Sequence, residues 1–504
     1  MLRKPPKFGK GEFIESMALA VSAGREHASA YVDHMQPCDE KGRYLSYHDF
    51  YFRIKKPIDP RLAWQFKKMA RTTQSFFVMN VGEEMDKATL YLTPTIHRIT
   101  SLVDKTATTA AMNWMKKDVQ ESKYVEFMLD ELIAEEAISS SQLEGAATTT
   151  IVAKDMIRQK RAPRTPDERM VIGNFEMMRF ALANKDKPLT IELILDMHRC
   201  GVAGIEDGKY TPGAFRTGDN VEVVDGDDNV VHTPPPAAGI LTRLQRLCDW
   251  ANEHHDEANG PTFLHPLLKA IVLHFNIGFE HPFNDGNGRV ARSLFYWFMF
   301  KSGYEAFQYI AISTLLKEAP KAYGVSYVHT ETDDMDLTYF VEYQCSVIER
   351  AIKRFTEAYE RGLTEVQDSE SFAGSLVREK REKEATVVAS MIEKYRKTGV
   401  TVKEVAEKLG VSYNTAAKAI KSLENKGIMR LEGEGRLAHY RIISSHYSEY
   451  SSSNADPLSR EGTDISDIDV AGIKRVWTKH IGVDEQGQIT DETVQDPKKK
   501  SAPK

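Results

Sequence analysis

The stretch from His281 to Arg292, HPFNDGNGRVAR, gathers more chemistry than any other twelve residues of this 504-residue chain. It holds one imidazole, one carboxylate, an asparagine between two glycines and two guanidinium groups, a set that suits a phosphate. Gly286, Asn287 and Gly288 let the backbone approach a ligand closely. The apolar run VARSLFYWFMF predicts a buried helix beginning near Gly288, and its N-terminus would offer free N–H groups to an anion. Arg289 and Arg292 stand three apart on that helix, on neighbouring positions of one face, so both could grip phosphate oxygens. Asp285 beside them is suited to Mg²⁺, which keeps several waters and takes one or two protein carboxylates plus substrate phosphates. His281 remains as the base, since an imidazole with an ordinary pKa of about 6.5 removes a hydroxyl proton near neutral pH. Taken singly, the same residues read as a packed histidine, an N-cap aspartate and surface arginines. Their coincidence before so apolar a helix carries the functional reading.

Those residues must be held by a larger frame, and 504 residues leave room for about three domains. Hydrophobic residues at 41% and charged residues at 28% match ordinary globular usage, which excludes a fibrous or wholly disordered chain. A net charge of -6 argues against nucleic acid coating the whole chain but leaves room for a local basic face. Cys38, Cys200, Cys248 and Cys345 form no CxxC pair, so neither a zinc site nor a disulfide framework is indicated, and a reducing compartment fits. No signal-like apolar stretch follows MLRKPPKFGKGEF, and no run approaches the roughly 18 apolar residues of a membrane span. A soluble, cytoplasmic protein with no membrane partner is therefore expected.

Residues 1–100 carry no readable motif, and YLSYHDFYFRI within them predicts a strand pair. Helical patterning dominates 101–375: in YVEFMLDELIAEEAI, Val125, Met128, Leu129, Leu132, Ile133 and Ile138 recur at helical spacing. The exception is NVEVVDGDDNVVHTPPP, where Val-rich runs flank Gly226, Asp227 and Asp228 and predict a hairpin stopped by Pro234 to Pro236. Residues 380–445 form a compact unit of helix, helix-turn-helix and hairpin, and 446–504 are polar and expected to lack a packed core. There is no GxxxxGK[ST] or HExxH pattern, so conventional NTPase and zinc-protease readings lack support. His254 and His255 read as solvated.

HPFNDGNGRVAR matches every fixed position of the Fic signature, H-P-F-x-D-G-N-G-R-x-x-R. The likeness continues through LHFNIGFEHPF, LFYWFMFKSGY and ETDDMDLTYF, and upstream through PLTIELILDMHRCGV and PGAFRTGDNVEV, over roughly 120–355. The chain thus resembles a Fic protein. The resemblance implies a mostly α fold: a Fic-type helical core with a β-hairpin flap, plus a C-terminal winged helix domain. It implies a protein adenylyltransferase that moves AMP from ATP, with Mg²⁺, to a Ser, Thr or Tyr hydroxyl of a target protein, self-modification included. On that pattern His281 is the general base and Asp285 the metal ligand. Asn284, Gly286, Asn287, Gly288, Arg289 and Arg292 hold the nucleotide. Gly288 favours AMP transfer over the phosphoryl transfer of the Doc branch, whose members carry a larger residue there. Val221, Glu222, Val223 and Val224 take the place of the flap, which holds a target segment by strand pairing.

Upstream, AISSSQLEGAATTT resembles the N-terminal class of Fic inhibitory motif through Ser140, Glu144 and Gly145. That likeness implies that Glu144 pairs with Arg292 and restrains the enzyme. Read on its own, SSS caps a helix and Glu144 is a surface charge. A carboxylate near His281 could also set water against an AMP-modified protein, so removal of AMP by the same site is one alternative. A DNA-binding regulator whose Fic core senses nucleotide is another. Residues 384–443 resemble a winged helix-turn-helix, with Gly410 at the turn, Tyr413 to Asn425 as recognition helix and GEG at the wing tip. Seven Lys and four Arg against seven Glu give that segment a net of +4, moderately suited to DNA phosphate. Tyr413, Asn414, Lys418 and Lys421 are the side chains placed to meet DNA. Winged helices also dock proteins, which leaves a homodimer open.

Overall fold

Threonines start the helices that frame the molecule. Thr93, Thr165 and Thr190 each accept a hydrogen bond from the backbone N–H three residues on, and Pro94 and Pro166 occupy first-turn positions where no N–H is missed. The structure, a computed structural model, describes residues 2–442 except 10, 23, 119–133, 160, 206–209, 225–229, 256–262, 379–380, 382, 386, 389–399, 427–428 and 433–438. The described residues fall within one compact unit, Met1–Ile442. The unpacked tail expected at 446–504 lies outside the described residues.

Four helices come first: α1 (Glu12–Ser22), α2 (Arg25–Val32), α3 (Tyr47–Tyr51) and α4 (Pro60–Gln74). The strand pair expected in YLSYHDFYFRI is instead helix α3. Ser46 caps it by accepting from the Asp49 N–H at 3.2 Å, and Tyr47 and Phe50 turn inward against Trp64. Strands follow later, as the antiparallel pair β1 (Phe76–Val81) and β2 (Asp86–Leu90). This N-terminal region is sewn to the helical core at residues 333–339. The Thr89 N–H donates to Met335, and the Leu337 N–H donates back to Thr89 at 2.9 Å. Arg71, buried, donates to the Tyr339 hydroxyl at 2.7 Å and to the Pro37 and Leu45 carbonyls.

Next come α5 (Pro94–Thr106), α6 (Thr109–Asp118), α7 (134–143), α8 (Thr150–Gln159), α9 (Pro166–Ala183) and α10 (Ile191–Val202). Of the amphipathic helix expected over YVEFMLDELIAEEAI, the part before 134 is outside the described residues. The flap hairpin is present as β3 (Val223–Val224) and β4 (Val230–His232), antiparallel; its tip, 225–229, is outside the described residues. Then follow α11 (Ile240–Asn252), α12 (Pro266–Glu280) and α13 (Asn287–Lys301). Helices α12 and α13 are buried on nearly every side and pack on one another, as helices apolar all round must. Around them lie α14 (Ile312–Glu318), α15 (Pro320–Thr332) and the 41-residue α16 (Thr338–Arg378). Trp297 on α13 is fully buried and its indole N–H donates to Asn184 at 3.0 Å, so its loss to Ala would cost about 3–5 kcal/mol.

The C-terminal module has α17 (Val402–Leu409), opened by a Thr401/Glu404 capping box, and α18 (Tyr413–Asn425), capped by Ser412. Gly410 sits at the turn between them. Strands β5 (Met429–Glu432) and β6 (His439–Ile442) pair as the wing, and Val400 bridges to Tyr440. The wing tip is outside the described residues. No described helix is long and apolar enough to cross a membrane.

Candidate functional site

The site is built where α12 stops and α13 starts. His281 ends α12 in the left-handed conformation, φ 46° and ψ 56°, which costs a non-glycine residue about 1–3 kcal/mol. The chain turns back through 282–285 and re-enters helix at Gly286, whose φ of 88° only glycine adopts freely. Asn287 staples this loop: its Oδ1 accepts from the Phe283 N–H and its Nδ2 donates to the Phe283 carbonyl, both at 2.8 Å. The side chain assigned to nucleotide from sequence is thus committed to the loop, and what Asn287 can offer a phosphate is backbone.

His281 donates from Nδ1 to the Gly278 carbonyl at 3.3 Å, which leaves Nε2 as the ring's acceptor. Burial pushes its pKa down to about 4. The nearby His232 and Arg216 add to that, and the Gly278 carbonyl and Glu144 oppose it. The imidazole is therefore neutral at neutral pH and competent to take a proton. Asp285, four residues on, is half-exposed and its Oδ1 accepts from the Gly286 N–H at 2.5 Å. Asn284 is exposed at the loop's outer edge.

The two arginines diverge. Arg289, fully buried, donates to the Gly201 carbonyl at 2.9 Å and lies beneath Gly286, where it supports the loop from the protein side. Arg292 faces α7 instead. Its Nε donates to Ser140 Oγ at 2.8 Å, and its Nη2 donates to the Ser140 carbonyl at 3.1 Å and to Glu144 Oε1 at 2.9 Å. Burial works against the Arg292 charge, but Glu144 leads the groups that hold its pKa above the usual value. Gly145, at φ 96°, ends α7 immediately after Glu144 and so leaves that carboxylate at the helix terminus. A Cβ on Gly288 would stand 2.3 Å from Glu144 Oε1 and 3.0 Å from Arg292 Nη1. Glu144 therefore occupies the space directly over the N-terminal turn of α13. Helix α7 is anchored there by Ser139 to Thr314 at 3.1 Å, and by Asn174 donating to the Ala137 carbonyl at 2.9 Å.

Two residues that sequence reasoning missed, His198 and Arg216, hold the loop in place. His198 on α10 stacks on Phe283 at 3.8 Å, accepts from the Gly213 N–H and donates to the Asp285 carbonyl at 3.0 Å. Burial lowers its pKa to about 4, which keeps the single-donor tautomer this geometry needs. Arg216 donates to the His281 carbonyl at 2.9 Å, to Gly218 at 2.9 Å and to Pro235, joining the loop after α12 to both stems of the hairpin. Its backbone N–H adds a bond to Pro282 at 2.9 Å. His274, fully buried on α12, meets the Tyr323 hydroxyl at 2.7 Å, and burial takes its pKa to about 3. His198 left one signal in the sequence, a polar residue on the stripe of Leu193, Ile194 and Met197. Val221 and Glu222 precede β3, and Val224 is half-exposed on the flap. Tyr413, Asn414, Lys418 and Lys421 all lie on the exposed side of α18.

The Fic/DOC family model matches residues 188–299, and an HTH domain model matches residues 387–441. Protein adenylyltransferase fic-1 of Caenorhabditis briggsae is 29% identical over 226 residues, which cover 44% of this chain and 40% of that protein. Protein adenylyltransferase Fic of Drosophila willistoni is 32% identical over 116 residues, or 23% of this chain and 20% of the relative. The chain thus spans about two fifths or less of the length of these curated relatives. A crystal structure of a Fic family protein from Desulfovibrio desulfuricans G20 aligns with a TM-score of 0.44 and 18% identity, covering 69% of this chain and 94% of that one.

Proposed function

We propose, for a chain that carries a Fic/DOC domain followed by a helix-turn-helix domain, that it is a protein adenylyltransferase restrained by its own Glu144. The observation that carries this reading is Glu144 lying over Gly288 in the first turn of α13, bonded to Arg292 and near enough to His281 to act on its charge, with Asp285 bonded to the Gly286 N–H. The names of the curated relatives support the same activity.

In the proposed reaction a target hydroxyl oxygen attacks the α-phosphorus of ATP. The bond from that phosphorus to the bridging oxygen breaks, pyrophosphate leaves and the hydroxyl proton passes to His281 Nε2. Backbone N–H groups of the α13 N-terminus would stabilise the phosphate oxygens, and Arg292 would neutralise the tail. A metal fits here in the manner of a phosphate-borne Mg²⁺, because a half-exposed carboxylate, Asp285, stands beside the helix start and such an ion needs only one or two protein oxygens. Bound there, Mg²⁺ would offset phosphate charge. Val221 to Val224 would hold the target segment, a Ser, Thr or Tyr hydroxyl then reaching His281. The chain's own hydroxyls are the first acceptors to test. The four free cysteines support a cytoplasmic setting, and the exposed polar face of α18 supports DNA contact.

Incubation with α-labelled ATP and Mg²⁺ tests the assignment. Glu144→Gly should increase labelling of the chain, and His281→Ala in that background should abolish it. Labelling that survives His281→Ala would overturn the proposed base, and equal labelling with and without Glu144 would overturn the restraint.

A further inference from the structure

The flap's second strand ends on His232, which is 8% exposed and touches no part of the phosphate seat just described. Its Nε2 lies 2.8 Å from the Phe279 carbonyl and its Nδ1 lies 2.8 Å from Glu331 Oε2. A carbonyl and a carboxylate can only accept, so both ring nitrogens must donate. Of the forms of imidazole, only the cation carries two N–H groups.

We infer that His232 is a positioning residue: as an imidazolium spanning Phe279 on α12 and Glu331 on α15, it fixes the flap strand against the last turn before His281. The inference rests on the adenylyl-transfer reading only for its consequence, that a target segment paired with the flap is held in register with the base. The surrounding groups agree with a charged ring. Glu331 faces it from α15, and Glu280 on α12 adds negative charge while paired to Arg243 at 2.7 Å. His281, the other imidazole nearby, is neutral. Burial opposes the His232 charge, but the Glu331 hydrogen bond and charge, with the Phe279 carbonyl and Glu280, outweigh it and raise the pKa. The sign follows: the latch is complete below the ordinary histidine value and is lost as pH rises through the raised one.

The test uses the full chain and two readouts. Hydrogen exchange of residues 219–235 is measured in wild type, His232→Asn and Glu331→Gln, together with binding of a non-hydrolysable ATP analogue. Flap exchange should accelerate about tenfold in both variants, as expected when a charge-assisted hydrogen bond is removed. The rest of the domain should keep its protection, and analogue affinity should stay within about twofold. In the Glu144→Gly background, self-labelling against pH should fall on the alkaline side. Glu331→Gln should move that fall to lower pH, and His232→Asn should remove it. Unchanged flap exchange, or protection lost evenly across the whole domain, overturns the latch. Accelerated flap exchange in a Glu144→Gly chain that never labels leaves the latch standing and overturns AMP transfer.

Discussion

Helix α7 and the β3–β4 hairpin approach the same loop from distant parts of the chain, and each is held by a carboxylate–cation pair, α7 to α13 and the hairpin to α15. Glu144 meets Arg292 at 2.9 Å, and Glu331 meets His232 at 2.8 Å. The carboxylates are equivalent; the cations are not. A guanidinium keeps its proton throughout the physiological range, whereas an imidazolium gives its proton up near neutrality. The fastening of α7 therefore yields only to displacement, while that of the hairpin also yields to pH. On the proposed reading one arm would restrain and one would position, with the permanent charge at the restraint and the titratable one at the alignment.

The largest effect belongs to the group both arms surround. His281→Ala should lower AMP transfer by roughly 10²–10⁴, the usual contribution of a general base. Analogue binding and flap exchange should stay near wild type, and their collapse would mean that the loop, not the base, had been lost. Next, Glu144→Gly should raise self-labelling about thirtyfold, equivalent to ~2 kcal/mol for a partly buried charge-assisted bond. That ratio should stay constant across neutral pH, because Arg292 does not titrate there. A ratio that drifts with pH as the flap does would erase the distinction between the two arms.

A smaller effect concerns stability. His198 and His281 at the loop, and His274 within α12, have pKa values lowered by burial to about 4, 4 and 3. Unfolding exposes them to protons at the ordinary value of about 6.5, so the unfolded chain binds more protons and stability falls as pH drops from there towards 4. Thermal unfolding at stepped pH would record it, and a flat midpoint down to pH of about 4 would contradict the burial of these rings. The smallest effect lies in the other domain. Lys418→Ala with Lys421→Ala should reduce the salt dependence of DNA binding by a slope of roughly one per lysine, measured by titration at several salt concentrations. An unaltered slope would move the DNA face off α18.

The loop and the α7 terminus were legible because their chemistry is contiguous. His281 to Arg292 and Ser140 to Gly145 state residue types at short fixed spacings, and helix α13 follows from a run apolar on every side. What escaped reading was held by backbone carbonyls, most of them remote in sequence. Arg216 serves His281, Gly218 and Pro235, and His232 serves Phe279, and a carbonyl has no residue type to recognise. Arg289 shows the opposite failure. Spacing places it beside Arg292, yet the helix turns it under Gly286 towards Gly201, because residues three apart are offset around the axis by enough to face different neighbours. In the N-terminal region, alternating aromatics in YLSYHDFYFRI suggested strands, but Ser46 supplied a cap and tertiary packing on Trp64 decided for helix.

Helix α16 runs unbroken for 41 residues from Thr338, where its root is bonded to Tyr91 and to Arg71, out to Arg378. At 1.5 Å per residue it is a rod of about 60 Å whose first half is packed into the core through Phe340, Cys345, Ile348, Ile352 and Phe355. The core half fixes the direction of the axis, and at the same rise the residues beyond Ala358 carry that direction about 30 Å further, to Arg378.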